Sequence, residues 1–152
     1  RAGLIVNCTT KGQGGSRALP NGGVVLLEPY SALAPAHPSR LSQSVERESN
    51  DEAKRRIAAG PDIDSNNLAS MALARCIPAA THFYDLIYHP EETVFLRHGR
   101  LTGHPTMNGK AMIVNQAVIA FCKRICAAEL QTRGSDPAQL QNDILEVMYH
   151  AW

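Results

Sequence analysis

Four groups of residues are of types that could do chemistry: a glycine run, six histidines, four cysteines, and one amide inside an apolar stretch. Gly12-Gln13-Gly14-Gly15-Ser16 stands where a nucleotide-binding loop would stand, after a short apolar segment. A dinucleotide loop needs a further glycine opening a helix, where backbone amides meet the pyrophosphate. Here Arg17-Ala18-Leu19-Pro20-Asn21-Gly22 comes next, which reads as turn, and Lys11 precedes the glycines. The run therefore reads as a plain flexible loop. His82, His89, His98 and His104 show neither i, i+4 helical pairing nor an interleaved cysteine, and Cys122 and Cys126 lack zinc-knuckle spacing. These histidines read as surface or hydrogen-bonded side chains, with no metal site. Gln116 lies among Ile113, Val114, Ala117, Val118 and Ala120. A buried amide must be hydrogen-bonded, so Gln116 either satisfies a neighbouring backbone group or faces a ligand, and spacing alone leaves both open. Asn108 and Gly109, just before this helix, could leave backbone amides aimed into the same space.

Composition bounds what these groups can belong to. The chain has 152 residues, the length of one domain, with 44% hydrophobic and 19% charged residues. That fills a globular core and excludes a disordered or fibrous chain. Fifteen basic against fourteen acidic residues give a net charge of +1, which speaks against a general electrostatic grip on nucleic acid or an anionic membrane. No apolar run reaches the roughly 20 residues that span a bilayer. Cys8, Cys76, Cys122 and Cys126 lie in apolar surroundings without a CxxC pair, and read as reduced, mostly buried thiols of a cytoplasmic protein. The chain opens at Arg1 and enters a strand at once, which reads as part of something longer or a chain trimmed close to a fold.

The elements that must position these residues alternate between strand and helix. Leu4-Ile5-Val6 reads as a buried strand of a parallel sheet, and Val24-Val25-Leu26-Leu27 as a second strand. Residues Pro29 to Pro38 hold three prolines and read as irregular. A helix capped by Ser49 or Asn50 is expected from near Asp51 to Gly60-Pro61, and another from Ser65 to Cys76 with Leu68, Met71, Ala72 and Arg75 at helical spacing. His82 to Tyr88 reads as a strand. Glu91 to His98 reads as a short helix opened by Pro90 and closed by Gly99. Arg100 to Thr106 reads as loop with room for a short strand. Asn108 is expected to cap a long helix from Gly109 to Gln131. Ser135 or Asp136 should cap a last helix opened by Pro137 and running to Tyr149. The pattern is α/β.

Three segments carry a resemblance. Tyr84-Asp85-Leu86-Ile87-Tyr88-His89-Pro90-Glu91-Glu92-Thr93, continuing into Phe95-Leu96, resembles the YDxxYNPxxTxLL segment of shikimate dehydrogenases. Asn108-Gly109-Lys110-Ala111-Met112-Ile113-Val114-Asn115-Gln116-Ala117 is similar to their DGLGMLVxQA motif, and Leu4-Ile5-Val6-Asn7-Cys8-Thr9-Thr10-Lys11-Gly12 to their strand and loop of the type LIVNATPLG. The three occur in family order, and the resemblance covers Arg1 to about Pro29 and Ile77 to Trp152. It departs at Asn108-Gly109-Lys110-Ala111, where the family has Asp-Gly-Leu-Gly, and at Thr10-Lys11-Gly12-Gln13, where it has Pro-Leu-Gly-Met.

The resemblance implies a single domain over 1–152, the C-terminal part of a Rossmann-like, three-layer NADP-binding domain. Its parallel sheet would be incomplete, closing helices would come after it, and an unusual segment would be inserted at about 29–76. It implies that Thr9 and Thr10 line the NADP cleft, that Leu86, Gly109 and Met112 contact the nicotinamide side, and that Tyr88 and Gln116 reach a shikimate-like substrate. The family's catalytic lysine and aspartate, its pyrophosphate loop and its Asn-Arg-Thr element belong to an N-terminal portion this sequence does not contain, so no catalytic residue is assigned. The parent reaction would be hydride transfer between NADP and 3-dehydroshikimate/shikimate, and the chain alone should be inactive. Half of a doubly wound sheet leaves a strand edge open and should favour a homo-oligomer. The alternative is a non-catalytic binding or oligomerisation module that kept the fold and lost the chemistry. The inserted segment and the altered glycine motif favour it.

Overall fold

The structure, a computed structural model, describes residues 3–18, 20, 24–37 and 52–151. It divides into two compact units, Arg1–Asn108 and Gly109–Trp152.

The first unit is built on three parallel strands in the order β1-β4-β5: β1 is Leu4–Asn7, β4 is His82–Asp85 and β5 is Thr106–Met107. Ile5 pairs with Phe83 and Asn7 with Asp85, so inward-facing residues of neighbouring strands stand side by side. Phe83 is the centre of the core, stacked on Phe95 at 4.9 Å between ring centroids and packed with Ala74, Leu96 and Ile5. β1 was expected to be buried. Among the described residues it is an edge strand instead, and the alternate residues Leu4 and Val6 are exposed because strand side chains point to opposite faces.

The expected second strand, Val24–Leu26 (β3), does not join this sheet. It pairs antiparallel with Ser16–Ala18 (β2), a segment expected to be part of a turn. Leu19, Asn21 and Gly22 of that turn lie outside the described residues.

Two helices were expected between Asp51 and Cys76, separated by Gly60-Pro61; one helix, α1, runs from Glu52 to Cys76 through both. The cap expected at Ser49 or Asn50 lies outside the described residues. Proline inside a helix costs about 3 kcal/mol, and the side chains on either side offset it. Ala59 and Ile63 pack against Val25 and Tyr30. Asp62 accepts from the Tyr30 hydroxyl at 2.7 Å and from the His37 amide at 2.7 Å. Asn66 takes the Ser31 amide on its Oδ1 at 2.9 Å and gives its Nδ2 to the Ala34 carbonyl at 2.9 Å. The irregular segment 29–37 is thus stapled to α1 by polar side chains. The buried stripe of α1 is Ile63, Asn66, Ser70 and Ala74, whereas Leu68, Ala72 and Arg75 are exposed and Met71 is half-buried. A stripe this polar leaves no apolar periodicity to read.

Helix α2 is Val94–Leu101, three residues later than expected at its start. Thr93, in an extended conformation, caps it by accepting from the Leu96 amide. Gly99 lies inside this helix rather than beyond it. A Cβ there would come within 2.8 Å of the Phe83 ring, so its absence lets helix and strand close together.

The second unit is helical. α3 is Lys110–Ala120, succeeded by a π-helical turn at Phe121–Ile125, α4 at Ala127–Thr132 and α5 at Pro137–Ala151. A single helix was expected from Gly109 to Gln131; the π turn interrupts it, with the Cys126 amide bonded back to the Phe121 carbonyl. Gly109, not Asn108, is the N-cap residue, and the Asn108 side chain donates to the Glu91 carbonyl at 3.1 Å. Val114, Val118 and Cys122, four residues apart, pack on Ile144, Leu145 and Met148 of α5. The start of α5 agrees with expectation: Asp136 accepts from the Ala138 amide at 2.9 Å and Pro137 opens the helix.

Candidate functional site

Chains leaving the carboxyl ends of two adjacent parallel strands enclose space between them. Beyond β1 run Cys8, Thr9 and Thr10; beyond β4 run Leu86, Ile87, Tyr88 and His89. These two stretches, with Gln13 and Gly14, line a cleft of about 700 Å³. That volume suits a cofactor-sized ligand.

The cleft walls are fixed from beneath by three buried polar side chains. Asn7 ends β1 and gives its Nδ2 to Asp85 at 3.1 Å and to the Lys11 carbonyl at 3.1 Å. Its Oδ1 accepts the Thr9 amide at 2.9 Å and the Thr9 hydroxyl at 2.8 Å, curling the loop back onto the strand end. Asp85 ends β4, is fully buried, and also accepts from the Ile87 amide at 2.9 Å and from the Thr93 hydroxyl at 2.6 Å. Thr93 in turn starts α2. Asn7, Asp85 and Thr93 therefore tie two strand ends and a helix start into one network, from which the Thr9 and Leu86 backbones project. None of these three is among the residues that the sequence motifs single out for the site. Their signals were available: an Asn two residues before a Thr, and one acid inside an aromatic strand that must find donors when buried.

The glycine run is not a loose connection. Gly12 has φ +95°, and a Cβ there would lie 2.9 Å from Thr93. Its amide donates to the Leu27 carbonyl at 2.7 Å, and the Leu27 amide donates to the Gly15 carbonyl at 3.1 Å. Gly12 is what lets the loop lie against the helix cap. Two cysteine expectations also change: Cys8, on the cleft, and Cys76 are exposed, and only Cys122 is fully buried.

Of the seven residues assigned from sequence, Thr9, Thr10, Leu86 and Tyr88 come together on this cleft. Gly109, Met112 and Gln116 belong to the second unit, where Gly109 caps α3, Met112 is half-buried and Gln116 is exposed. The expectation of a buried Gln116 fails because α3 buries only the stripe through Val114 and Val118, and Gln116 lies about 200° around the helix from Val114. Its amide has no hydrogen-bond partner among the described residues.

His98 and Glu92 carry the shifted ionisations of α2 and its approach. Burial pushes the His98 pKa below its ordinary value, and Arg97 adds to this; its Nδ1 has no partner among the described residues. Arg100 holds Glu92 below the usual carboxylate range through a 2.6 Å bond from its Nε. Neither lines the cleft. No group of three or more possible metal ligands occurs among the described residues, and none of their helices is long and apolar enough to cross a membrane.

The chain is similar to curated proteins named shikimate dehydrogenase (NADP(+)). It is 39% identical to that of Caldanaerobacter subterraneus subsp. tengcongensis over 65 residues, which are 43% of this chain and 22% of that protein. It is 43% identical to that of Desulforamulus reducens over 61 residues, 40% of this chain and 19% of that protein. With that of Pelagibacter ubique the identity is 51% over 39 residues, 26% of this chain and 15% of that protein. The matched stretches span about a fifth of the length of the first two relatives. No family model matches, and no solved structure matches.

Proposed function

Starting from a chain related to the shikimate dehydrogenase family, we propose that it is the C-terminal part of the cofactor domain of an NADP-dependent shikimate dehydrogenase-like oxidoreductase. The observation that carries this reading is the cleft at the carboxyl ends of β1 and β4, bounded by the two segments that resemble the family's loops. In this reading Thr9, Thr10 and Leu86 form the wall on which the nicotinamide ring of NADP rests. By the family resemblance Gly109 and Met112 are also assigned to NADP, and Tyr88, through its hydroxyl, and Gln116, through its amide, to a shikimate-like substrate. The exposure of Tyr88 and Gln116, with no partner for the Gln116 amide among the described residues, supports a role toward a ligand rather than toward the core.

The protein's contribution here is position and electrostatics, and NADP supplies the hydride chemistry when bound. None of the residues on this cleft is a lysine–aspartate pair able to handle the proton of the oxidised hydroxyl. The reading therefore assigns that pair to an N-terminal catalytic domain of the parent protein, and expects no turnover of shikimate with NADP by the 152-residue chain. The exposed thiols of Cys8 and Cys76 suit a reducing, cytoplasmic setting. The exposed edge strand β1 supports association into a homo-oligomer, which light scattering at increasing concentration tests; a monomer mass throughout would remove that part of the reading.

Cofactor binding tests the main part. Titrating the chain into NADPH should raise the emission of the reduced nicotinamide as the ring leaves water. Thr10→Tyr, which fills the cleft from an exposed loop position, should abolish the rise while leaving the circular dichroism unchanged. No rise with the unmodified chain, or an equal rise with the variant, would sink the assignment.

A further inference from the structure

A second cavity, of about 380 Å³, shares Thr9 and Thr10 with the cleft but is otherwise lined by different residues. Its apolar surface comes from Val25, in the middle of β3, from Leu27 just beyond it, and from Tyr30 and Ala36 of the segment stapled to α1. Two cations line it as well, Lys11 and Arg17. The Lys11 ammonium donates to the Ala34 carbonyl at 3.0 Å, and its other two donors have no partner among the described residues. Arg17 is exposed on β2, and its guanidinium has no hydrogen-bond or ion-pair partner among the described residues.

Among the described residues the charge near this cavity does not cancel. Asp62 acts on Lys11, but its own oxygens are occupied by the Tyr30 hydroxyl and the His37 amide. Two cations against one carboxylate leave a single positive excess. Burial pushes the Lys11 pKa below its ordinary value, with Asp62 opposing this and Arg17 adding to it. A monoanion entering beside Lys11 and Arg17 would neutralise the excess, whereas a dianion would overshoot it. A planar carboxylate also matches the guanidinium fork.

We propose that this cavity is a binding site for a small monocarboxylic acid with an apolar body, its carboxylate on Arg17 and Lys11 and its body against Val25, Leu27, Tyr30 and Ala36. The site is distinct from the nicotinamide cleft and stands or falls without it.

Calorimetric titration of the 152-residue chain with phenylacetate tests this. Saturable one-to-one binding is expected, weakened about tenfold or more by Arg17→Gln, since a hydrogen bond to a charged group is lost. Lys11→Gln should weaken it in the same direction. Arg133→Gln, which changes net charge equally at an exposed arginine paired with Glu129, should leave it unchanged. Phenylacetamide, the neutral counterpart, should bind at least tenfold more weakly than the acid, as charge-assisted bonds become neutral ones. Thermal midpoints of the variants, read alongside, identify any that fails to fold; Arg17 and Lys11 provide two independent replacements. The proposal is overturned by absence of saturable phenylacetate binding, by equal affinity in a folded Arg17→Gln chain, by equal loss in Arg133→Gln, or by tighter binding of the dianion phenyl phosphate.

Discussion

In the first unit, Thr9, Thr10, Leu86 and Tyr88 stand on loops held by buried polar atoms, with Asn7, Asp85 and Thr93 closing each other's hydrogen bonds. In the second, Met112 and Gln116 ride on a helix fastened by an apolar stripe, Val114, Val118 and Cys122, against α5. The first arrangement fixes direction: each bond has an angle, and losing one member leaves the others unpaired in the interior. The second fixes only which side of the helix is inside. Loops at strand ends have no ladder to hold them, so a polar network must do it. A helix satisfies its own backbone and needs only a packed face.

That contrast predicts a ranking of mutational effects. Asp85→Ala leaves one Asn7 N–H, the Ile87 N–H and the Thr93 O–H unpaired together, while Asn7 keeps its bond to the Lys11 carbonyl. It should cost at least about 3 kcal/mol at roughly 1–3 kcal/mol per buried unpaired group, read from urea unfolding, and it should abolish NADPH binding. Val118→Ala removes packing from the second unit and should cost about 2 kcal/mol with the cleft loops undisturbed. Equal costs for the two, or a larger one for Val118→Ala, would break the contrast.

A smaller effect comes from His98. Its folded-state pKa lies below the unfolded one, first through burial and then through Arg97. Between the two values the unfolded chain binds more protons, so stability is fully present above about pH 6.5 and falls as pH drops from there through the lowered folded value. The thermal midpoint should therefore decline between pH 7 and pH 5, and His98→Gln should flatten that part of the profile. An unchanged slope in the variant would assign the decline to other groups. The smallest effect belongs to Gln116→Leu. An exposed, unpaired amide contributes little, so stability should shift by no more than about 0.5 kcal/mol. A loss above about 1 kcal/mol, the size expected for a buried hydrogen-bonded amide, would return Gln116 to a structural role.

The sequence was legible where pattern and structure share a period or a cap. β1, β4, the irregular 29–37 segment and the Asp136-Pro137 helix start all stand where residue types put them. It misled where tertiary contacts outweighed local propensity. Gly60-Pro61 reads as a stop, yet α1 continues because Asp62, Ile63 and Asn66 hold the turns beyond it. Gly99 reads as a helix end, yet it is a contact point on Phe83. Four of the seven assigned residues were legible together because they lie in two motifs that flank adjacent parallel strands. The exposure of Gln116 was not, since α3 is apolar nearly all round and its composition does not say which side faces α5.

The central claim is that the nicotinamide faces the cleft between the β1 and β4 loops, and an amide-resolved NMR titration of the chain with NADPH tests it directly. The largest shifts should fall on Cys8, Thr9, Thr10, Leu86, Ile87 and Tyr88, with the Gln139–Asp143 stretch of α5 silent. Shifts concentrated on Val25, Leu27, Tyr30 and Ala36, or an unchanged spectrum at saturating NADPH, would contradict it.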